Sequence, residues 1–400
     1  MNRMLTDQML RVNTLTLVKR IIFGKGAAGK IGAEVKATGA RKLLLVTDPG
    51  VLKSGILRDV NESLQSKELL VETFSQVEPE PDIATARRIT QTVREDQFDL
   101  VCGVGGGSAM DIAKIASVMA TNPGDIRQYV GVDLLKKPGL PKILIPTTAG
   151  TGSEMTPNAI IGIHEEGIKA GVVSPYVLAD AVLVDPLLTL TLPPAVTASS
   201  GLDALTHAIE SYISLDANPI TDLLSQRAIE LIASNLSKAF LEGGDLQARS
   251  AMSTAAMMAG VSIANAGTCS GHAAAYGYAA KYGIPHGISV AVALPYILAF
   301  NLASCSEKGK AIAKSMGALI DNLSSTEACT MAVNAVVDLM KRVNCTTSLS
   351  DLKIPKDEIE NIAKVMLKNT RLMAHNPRPM NELEAVNVIT GMWEGRIRYN

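Results

Sequence analysis

Of the five histidines in the chain, two lie in "GHAAAYGYAAKYGIPHG", where His272 and His286 sit among small and apolar residues. A single buried imidazole usually does no more than satisfy its own hydrogen bonds, so a chemical role requires other ligand-type residues to converge on it. "GLDALTHAIESY" offers them: Asp203 and His207 are four residues apart, a spacing that puts both on one face of a helix. Their neighbours Leu202, Ala204, Leu205 and Ala208 are apolar, a costly setting for a carboxylate with nothing to bind. One aspartate and three imidazoles suit a borderline divalent ion, Fe(II) or Zn(II), and leave room for a substrate oxygen. Each of the four residues alone reads as structural or solvated; as a set they read as a metal centre. His375 stands apart from the set, as does His164, which is expected to be exposed in the charged "HEEGIK".

Three glycine-containing segments could receive phosphate. "GKGAAG" (24–29) has the spacing of a dinucleotide-binding turn, with Asp48 following it, but a tight turn before a helix explains it equally well. "GVGGGSAMD" (103–111) ends an apolar run and begins a helical pattern, so its glycines let the backbone approach a ligand while the first helical N–H groups point at it. Ser108 could cap that helix and add a hydroxyl. "PTTAGTGSEMT" (146–156) ends another apolar run with hydroxyls at Thr147, Thr148, Thr151 and Ser153. Loops of this kind at strand ends form the crevice where open α/β sheets bind ligands. Asp48 has two readings: a partner for a ribose 2′-hydroxyl, which would favour NAD over NADP, or a turn or helix cap before Pro49 and Gly50.

The elements that must position these groups change character along the chain. "KLLLVTD", "FDLVCGVG", "KILIPTT" and "AVLVDP" read as buried strands, separated by helical stretches such as "ATARRITQTVRED" and "SAMDIAKIASVMAT". Continuous apolar strands alternating with helices imply a parallel sheet covered on both faces. Beyond "TLPPAVTASSG" the strand pattern stops and helical patterns run to the C-terminus. The expected organisation is an α/β Rossmann-like domain over residues 1–192 and an all-α domain over 193–400 that carries the metal ligands.

Composition narrows the function classes. A net charge of −1 gives no bulk field for nucleic acid or an anionic membrane, and 47% hydrophobic residues with 19% charged describe a chain able to bury a large core. No segment reads as a signal peptide, and the apolar run "ISVAVALPYILAF" is short for a membrane span. The five cysteines lack any CxxC spacing, which suggests free thiols in a reducing compartment. A cytoplasmic protein is the expectation.

"GGGSAMDIAK", "IPTTAGTGSE", "GLDALTHAIE" and an H-x13-H pair ending in "PHG", in that order, resemble the iron-containing (group III) alcohol dehydrogenase family, near its propanediol dehydrogenase and lactaldehyde reductase members. The resemblance runs from about residue 15 to about 380. It implies a dehydroquinate synthase-like fold, with the active site between an N-terminal Rossmann-like domain and a helical C-terminal domain. The implied metal ligands are Asp203, His207, His272 and His286. Implied cofactor contacts are Asp48, Gly106, Gly107, Ser108, Thr147, Thr148 and Lys169, which makes "GKGAAG" a decoy. For Lys169 the residues themselves allow an ordinary surface lysine.

The resemblance implies reversible hydride transfer between NAD(H) and a small primary alcohol or aldehyde, with Fe(II) favoured over Zn(II), in a homo-oligomer. The substrate pocket is expected at Asn158, Ile263, Thr268 and Tyr276. Many relatives carry a histidine where this chain has Tyr276 and a phenylalanine where it has Ile263. With a helix through "HAAAYGYAA", Tyr276 would face the metal one turn after His272 but make a poor base, leaving it to shape the pocket or position a water. The smaller and more polar surroundings suggest a substrate with a polar or acidic tail. Three rival readings are a lyase or cyclase of the dehydroquinate synthase type that uses NAD transiently, a metal hydrolase, and a cofactor-binding protein without chemistry. Within 255–290 the only lysine or arginine is Lys281, few cations for the phosphate pocket such a lyase needs.

Overall fold

The computed structural model describes residues 10–163, 165 and 168–399; His164 lies outside them. The chain divides into two compact units, Leu17–Leu192 and a second containing Pro193–Asn400. Residues 10–16 group with the second unit, a placement not expected from the sequence. Arg11 donates to the Leu215 and Ala217 carbonyls, and Thr16 exchanges hydrogen bonds with the Asn265 side chain.

In the first unit a parallel sheet forms from β1 (Arg20–Phe23), β2 (Lys42–Val46), β3 (Leu70–Phe74), β4 (Leu100–Gly105), β6 (Lys142–Pro146) and β9 (Ala181–Val184), in the order β1-β9-β6-β4-β2-β3. The four strands expected from their apolar runs are the four inner ones. All of β4 is buried, as a central parallel strand covered on both faces must be. The edge strands β1 and β3 are half-exposed and mixed in composition, which hid them from a search for apolar runs. A second sheet, β5 (Gly131–Val132), β8 (Ile168–Val173) and β7 (Asn158–Ile163), was not anticipated.

Helices α1 (Ile31–Ala37), α2 (Pro49–Ser54), α3 (Arg58–Gln65), α4 (Ile83–Glu95) and α5 (Gly107–Met119) complete this unit. After β2 the chain moves to β3 on one side, and after β4 it moves to β6 on the other. The neighbouring ends of β2 and β4 are therefore the point where the winding reverses, the place at which open α/β sheets bind their ligands. Gly103 lets α5 lie tightly on β4: a Cβ there would stand 2.7 Å from the Ala113 Cβ and 2.9 Å from Leu144 Cδ2.

Among its described residues the second unit contains helices and no strand. They are α6 (Pro194–Ile213), α7 (Pro219–Leu241), α8 (Leu246–Ala266), α9 (Ser270–Ala275), α10 (Ala279–Tyr282), α11 (His286–Leu302), α12 (Ser306–Ser315), α13 (Ser325–Arg342), α14 (Ile359–Lys368), α15 (Thr370–Met373) and α16 (Glu382–Glu394). Proline at the first turn starts α6, where its missing N–H costs nothing, and buried residues occur on all sides of the helix. Asn218 and Thr221 form a reciprocal cap for α7, and Asp245 caps α8. The expected continuous helix through "HAAAYGYAA" is broken: α9 ends at Ala275, Tyr276 follows as its C-cap, and α10 begins at Ala279. Gly277 packs against the Ile362 backbone of α14, where a Cβ would approach to 3.0 Å. No helix among the described residues is long and apolar enough to cross a membrane.

Candidate metal centre and nucleotide site

Asp203 and His207 project from the same face of α6, His272 comes from α9, and His286 is the first residue of α11. One ligand atom from each lies within 4.8 Å of the other three. Asp203 Oδ1 is 3.5 Å from His207 Nε2 and 3.7 Å from His286 Nε2. A tetrahedral ion with bonds of about 2.1 Å has ligand–ligand edges of about 3.4 Å, close to the two Asp203 separations, and the wider spacings in the cluster would close around an ion. The His207 and His272 rings stack with centroids 4.9 Å apart, and the His286 ring meets His272 edge-on at 5.4 Å.

The Glu210 carboxylate identifies the atom offered by His272. Its Nδ1 is 2.5 Å from Glu210 Oε2, while its Nε2 is buried without a hydrogen-bond partner. An orphaned imidazole nitrogen aimed into a group of donor atoms is what a metal site presents when its ligands are preformed. Glu210 is fully buried, and its other oxygen accepts the Gly271 N–H at 2.6 Å. The one trace of Glu210 in the sequence is a carboxylate three residues after His207 in a largely apolar helix. His375 is not part of the cluster; its Nδ1 pairs with Asp216 Oδ2 at 2.6 Å.

Ile263 lies on α8, Thr268 in the α8–α9 connection and Tyr276 at the end of α9, all partly exposed. The Tyr276 N–H donates to the His272 carbonyl at 3.2 Å, so the tyrosine remains one turn beyond the ligand despite the break in the helix. Burial pushes its phenol pKa above the ordinary value, Asp203 and Glu210 add to the rise, and Arg371 opposes it. Such a phenol keeps its proton at neutral pH.

In the first unit, the ends of β2 and β4 bring Asp48 to the glycine turn. Asp48 Oδ1 caps α2 by accepting the Gly50 and Val51 N–H groups at 2.8 and 2.9 Å. Its Oδ2 faces the turn, 3.2 Å from where a Cβ on Gly105 would stand. The N-cap of α5 is Gly106 rather than Ser108: its backbone is extended, it has no side chain to bond the first turn, and Ser108 lies inside the helix. Ser108 Oγ instead accepts the Glu80 N–H at 3.2 Å. A Cβ on Gly107 would come within 2.9 Å of the Thr151 side chain, so this position requires the smallest residue.

Thr147 is buried and its N–H donates to the Gly105 carbonyl at 2.9 Å; Thr148 is half-buried. A Cβ on Gly106 would lie 3.7 Å from Thr148 Oγ1. Lys169, on β8, pairs with Glu80 Oε1 at 3.0 Å. Glu80 therefore links Lys169 to the start of α5, a link invisible in the sequence. Asn158 begins β7, and its carbonyl accepts from the fully buried Lys114 ammonium at 2.6 Å. That ammonium also reaches Asp111, Ser153 and Thr156, holding the 146–158 segment against α5. The "GKGAAG" donors are already used internally: Gly26 and Ala28 N–H groups bind the Asp185 carboxylate at 3.1 and 3.0 Å.

Two family models together cover most of the chain. One described as "Iron-containing alcohol dehydrogenase" matches residues 18–186, and one described as "Fe-containing alcohol dehydrogenase family, C-terminal" matches residues 197–393. Among curated relatives, long-chain-alcohol dehydrogenase 1 of Geobacillus thermodenitrificans is 39% identical over 389 residues, 95% of this chain and 98% of that protein. A solved 1,3-propanediol oxidoreductase superposes with a TM-score of 0.93 at 36% identity, covering 96% of this chain and 100% of that one. A sulfoacetaldehyde reductase from Bifidobacterium kashiwanohense, solved in complex with NAD+, gives a TM-score of 0.86 at 28% identity over 96% of this chain and 99% of its own.

Proposed function

Because the chain belongs to the iron-containing alcohol dehydrogenase family, we propose that Leu17–Leu192 serves as its NAD-binding unit and that the helical residues from Pro193 onward form its metal-binding unit. The protein is an oxidoreductase that moves hydride reversibly between NAD(H) and a small primary alcohol or its aldehyde. The observation that carries this reading is the convergence of Asp203, His207, His272 and His286 within 4.8 Å, with His272 Nε2 buried and partnerless.

When bound, a divalent iron or zinc ion supplies Lewis acidity at the alcohol oxygen, and NAD supplies the hydride acceptor. Asp203 and the three imidazoles hold the ion. The Gly106 and Gly107 N–H groups at the start of α5 would hold the pyrophosphate, aided by the Ser108, Thr147 and Thr148 hydroxyls. Asp48 would accept the ribose 2′-hydroxyl, and Lys169, held by Glu80, would meet the ribose side. Ile263, Thr268 and Tyr276 line the substrate. With its proton retained, Tyr276 would position the substrate or a water and would not act as the base. The limited bulk of Ile263 and the hydroxyl of Thr268 favour an aldehyde with a polar or acidic tail. A homo-oligomer in the cytoplasm completes the reading.

A lyase or cyclase of the same fold finds less support, since the lone cation within 255–290, Lys281, is exposed and paired with Glu358 at 2.6 Å. The test is the Fe(II)-loaded protein with NADH and a panel of aldehydes that includes diol-derived and acidic ones, followed by NADH absorbance. His272→Ala is expected to lose metal by elemental analysis and to lose turnover. Full metal content with near-normal turnover in that variant would refute the ligand set.

A further inference from the structure

Glu210 is not a metal ligand in this arrangement, yet it is the most completely buried carboxylate beside the cluster, and both of its oxygens are engaged. Oε2 meets His272 Nδ1 at 2.5 Å and Oε1 accepts the Gly271 N–H at 2.6 Å, across more than 60 residues of sequence. An acceptor at Nδ1 places the imidazole proton there, which leaves the lone pair on Nε2, the nitrogen aimed at the cluster. The Gly271 N–H is one of the free donors in the first turn of α9, so the same carboxylate fixes both the ring and the backbone carrying it. Asn376 anchors the adjacent residue separately: its Oδ1 accepts the Ser270 hydroxyl at 2.7 Å and an Asn301 amide N–H at 2.9 Å.

We propose that Glu210 is a positioning residue for the metal centre: it selects the Nδ1–H tautomer of His272 and holds α9 so that Nε2 is presented to the ion before the ion arrives. Of the four expected ligands His272 has the greatest need of such a device. Asp203 and His207 are set by the long helix α6, whereas α9 has only six residues and little cooperativity of its own. A glutamine at 210 cannot do the same work. Its single carbonyl oxygen can accept from Gly271 or from His272, and its NH2 then opposes the other donor. Glu210 acts through His272 and touches no reacting atom.

The inference rests on the metal-site reading, and its first test is independent of turnover. In metal-free protein labelled with 15N-histidine, the ring nitrogen shifts of His272 are expected to report the Nδ1–H tautomer alone. Glu210→Gln and Glu210→Ala are expected to mix in the Nε2–H form. The Zn(II) affinity of each variant, measured by competition with a chromophoric chelator, should fall about 10- to 100-fold, the range seen when a metal-ligating histidine loses its carboxylate partner. Asn376→Ala loosens the start of α9 without touching the imidazole and should leave the tautomer unchanged. An Nε2–H tautomer in the unsubstituted protein overturns the proposal with no variant needed. So does a Glu210→Gln protein with unchanged zinc affinity, or one whose affinity falls while the tautomer stays pure. A protein with the expected tautomer and zinc response but no NADH-linked activity would sink the dehydrogenase reading and leave the role of Glu210 standing.

Discussion

Asp48→Asn separates the helix cap that Asp48 provides from the cofactor contact proposed for it. Oδ1 caps α2 through Gly50 and Val51, while Oδ2 faces the glycine turn that is proposed to receive the cofactor. Asparagine caps helices about as well as aspartate, so folding stability should change by no more than a few tenths of a kcal/mol. What the substitution removes is a charge. At about 6 Å and an effective dielectric of about 20, a carboxylate repels each unit of charge on a 2′-phosphate by about 2.8 kcal/mol, which screening at physiological salt reduces to about 1.3 kcal/mol. That corresponds to about a tenfold rise in the ratio of kcat/KM for NADP over NAD, and more for a doubly charged phosphate. The assay is initial rates with both cofactors on one alcohol, beside melting curves of the two proteins. Asp48→Ala loses the cap as well and should cost about 1 kcal/mol of stability in addition. An unchanged cofactor ratio in Asp48→Asn, with unchanged melting, would mean that Asp48 caps a helix and does nothing to the cofactor.

Tyr276→Phe should keep most of kcat and raise KM for substrates with a polar tail, because burial holds the phenol proton in place at neutral pH. A drop in kcat of about a hundredfold or more would instead put the hydroxyl in the chemistry. The Lys142 ammonium, at the start of β6, is pushed by burial from 10.5 down to about 8, with Asp180 opposing the shift. The folded state then holds fewer protons than the unfolded chain between pH 8 and 10.5, so stability should climb through that window, by about 3 kcal/mol in all. Lys142→Met should melt higher at pH 7 and lose the climb, measured by urea unfolding at pH 7 and pH 10. Parallel pH dependence in both proteins would refute the assignment.

The sequence alone determined the parts of this protein that obey a short-range pattern. The inner strands β2, β4, β6 and β9 are uninterrupted apolar runs because both faces of a central parallel strand are covered. The change to helices after Leu192 follows from the loss of those runs. The helical spacing of Asp203 and His207, and the small apolar surroundings of His272 and His286, point to the four groups that the fold brings together, because unmatched polar groups are costly in such settings.

Tertiary structure alone decided which polar groups meet. Glu210 turns His272 toward the cluster from another helix, Glu80 joins Lys169 to the start of α5, and Asp185 occupies the N–H groups of a glycine turn that reads as a phosphate loop. It also ended α9 at Tyr276, where the close approach of α14 at Gly277 intervenes, and drew residues 10–16 to the helical unit through Leu215, Ala217 and Asn265. Burial leaves a periodic trace in the composition of each segment, whereas a hydrogen bond between residues 60 or 150 positions apart leaves none, because its partner is chosen by the packing of the folded chain.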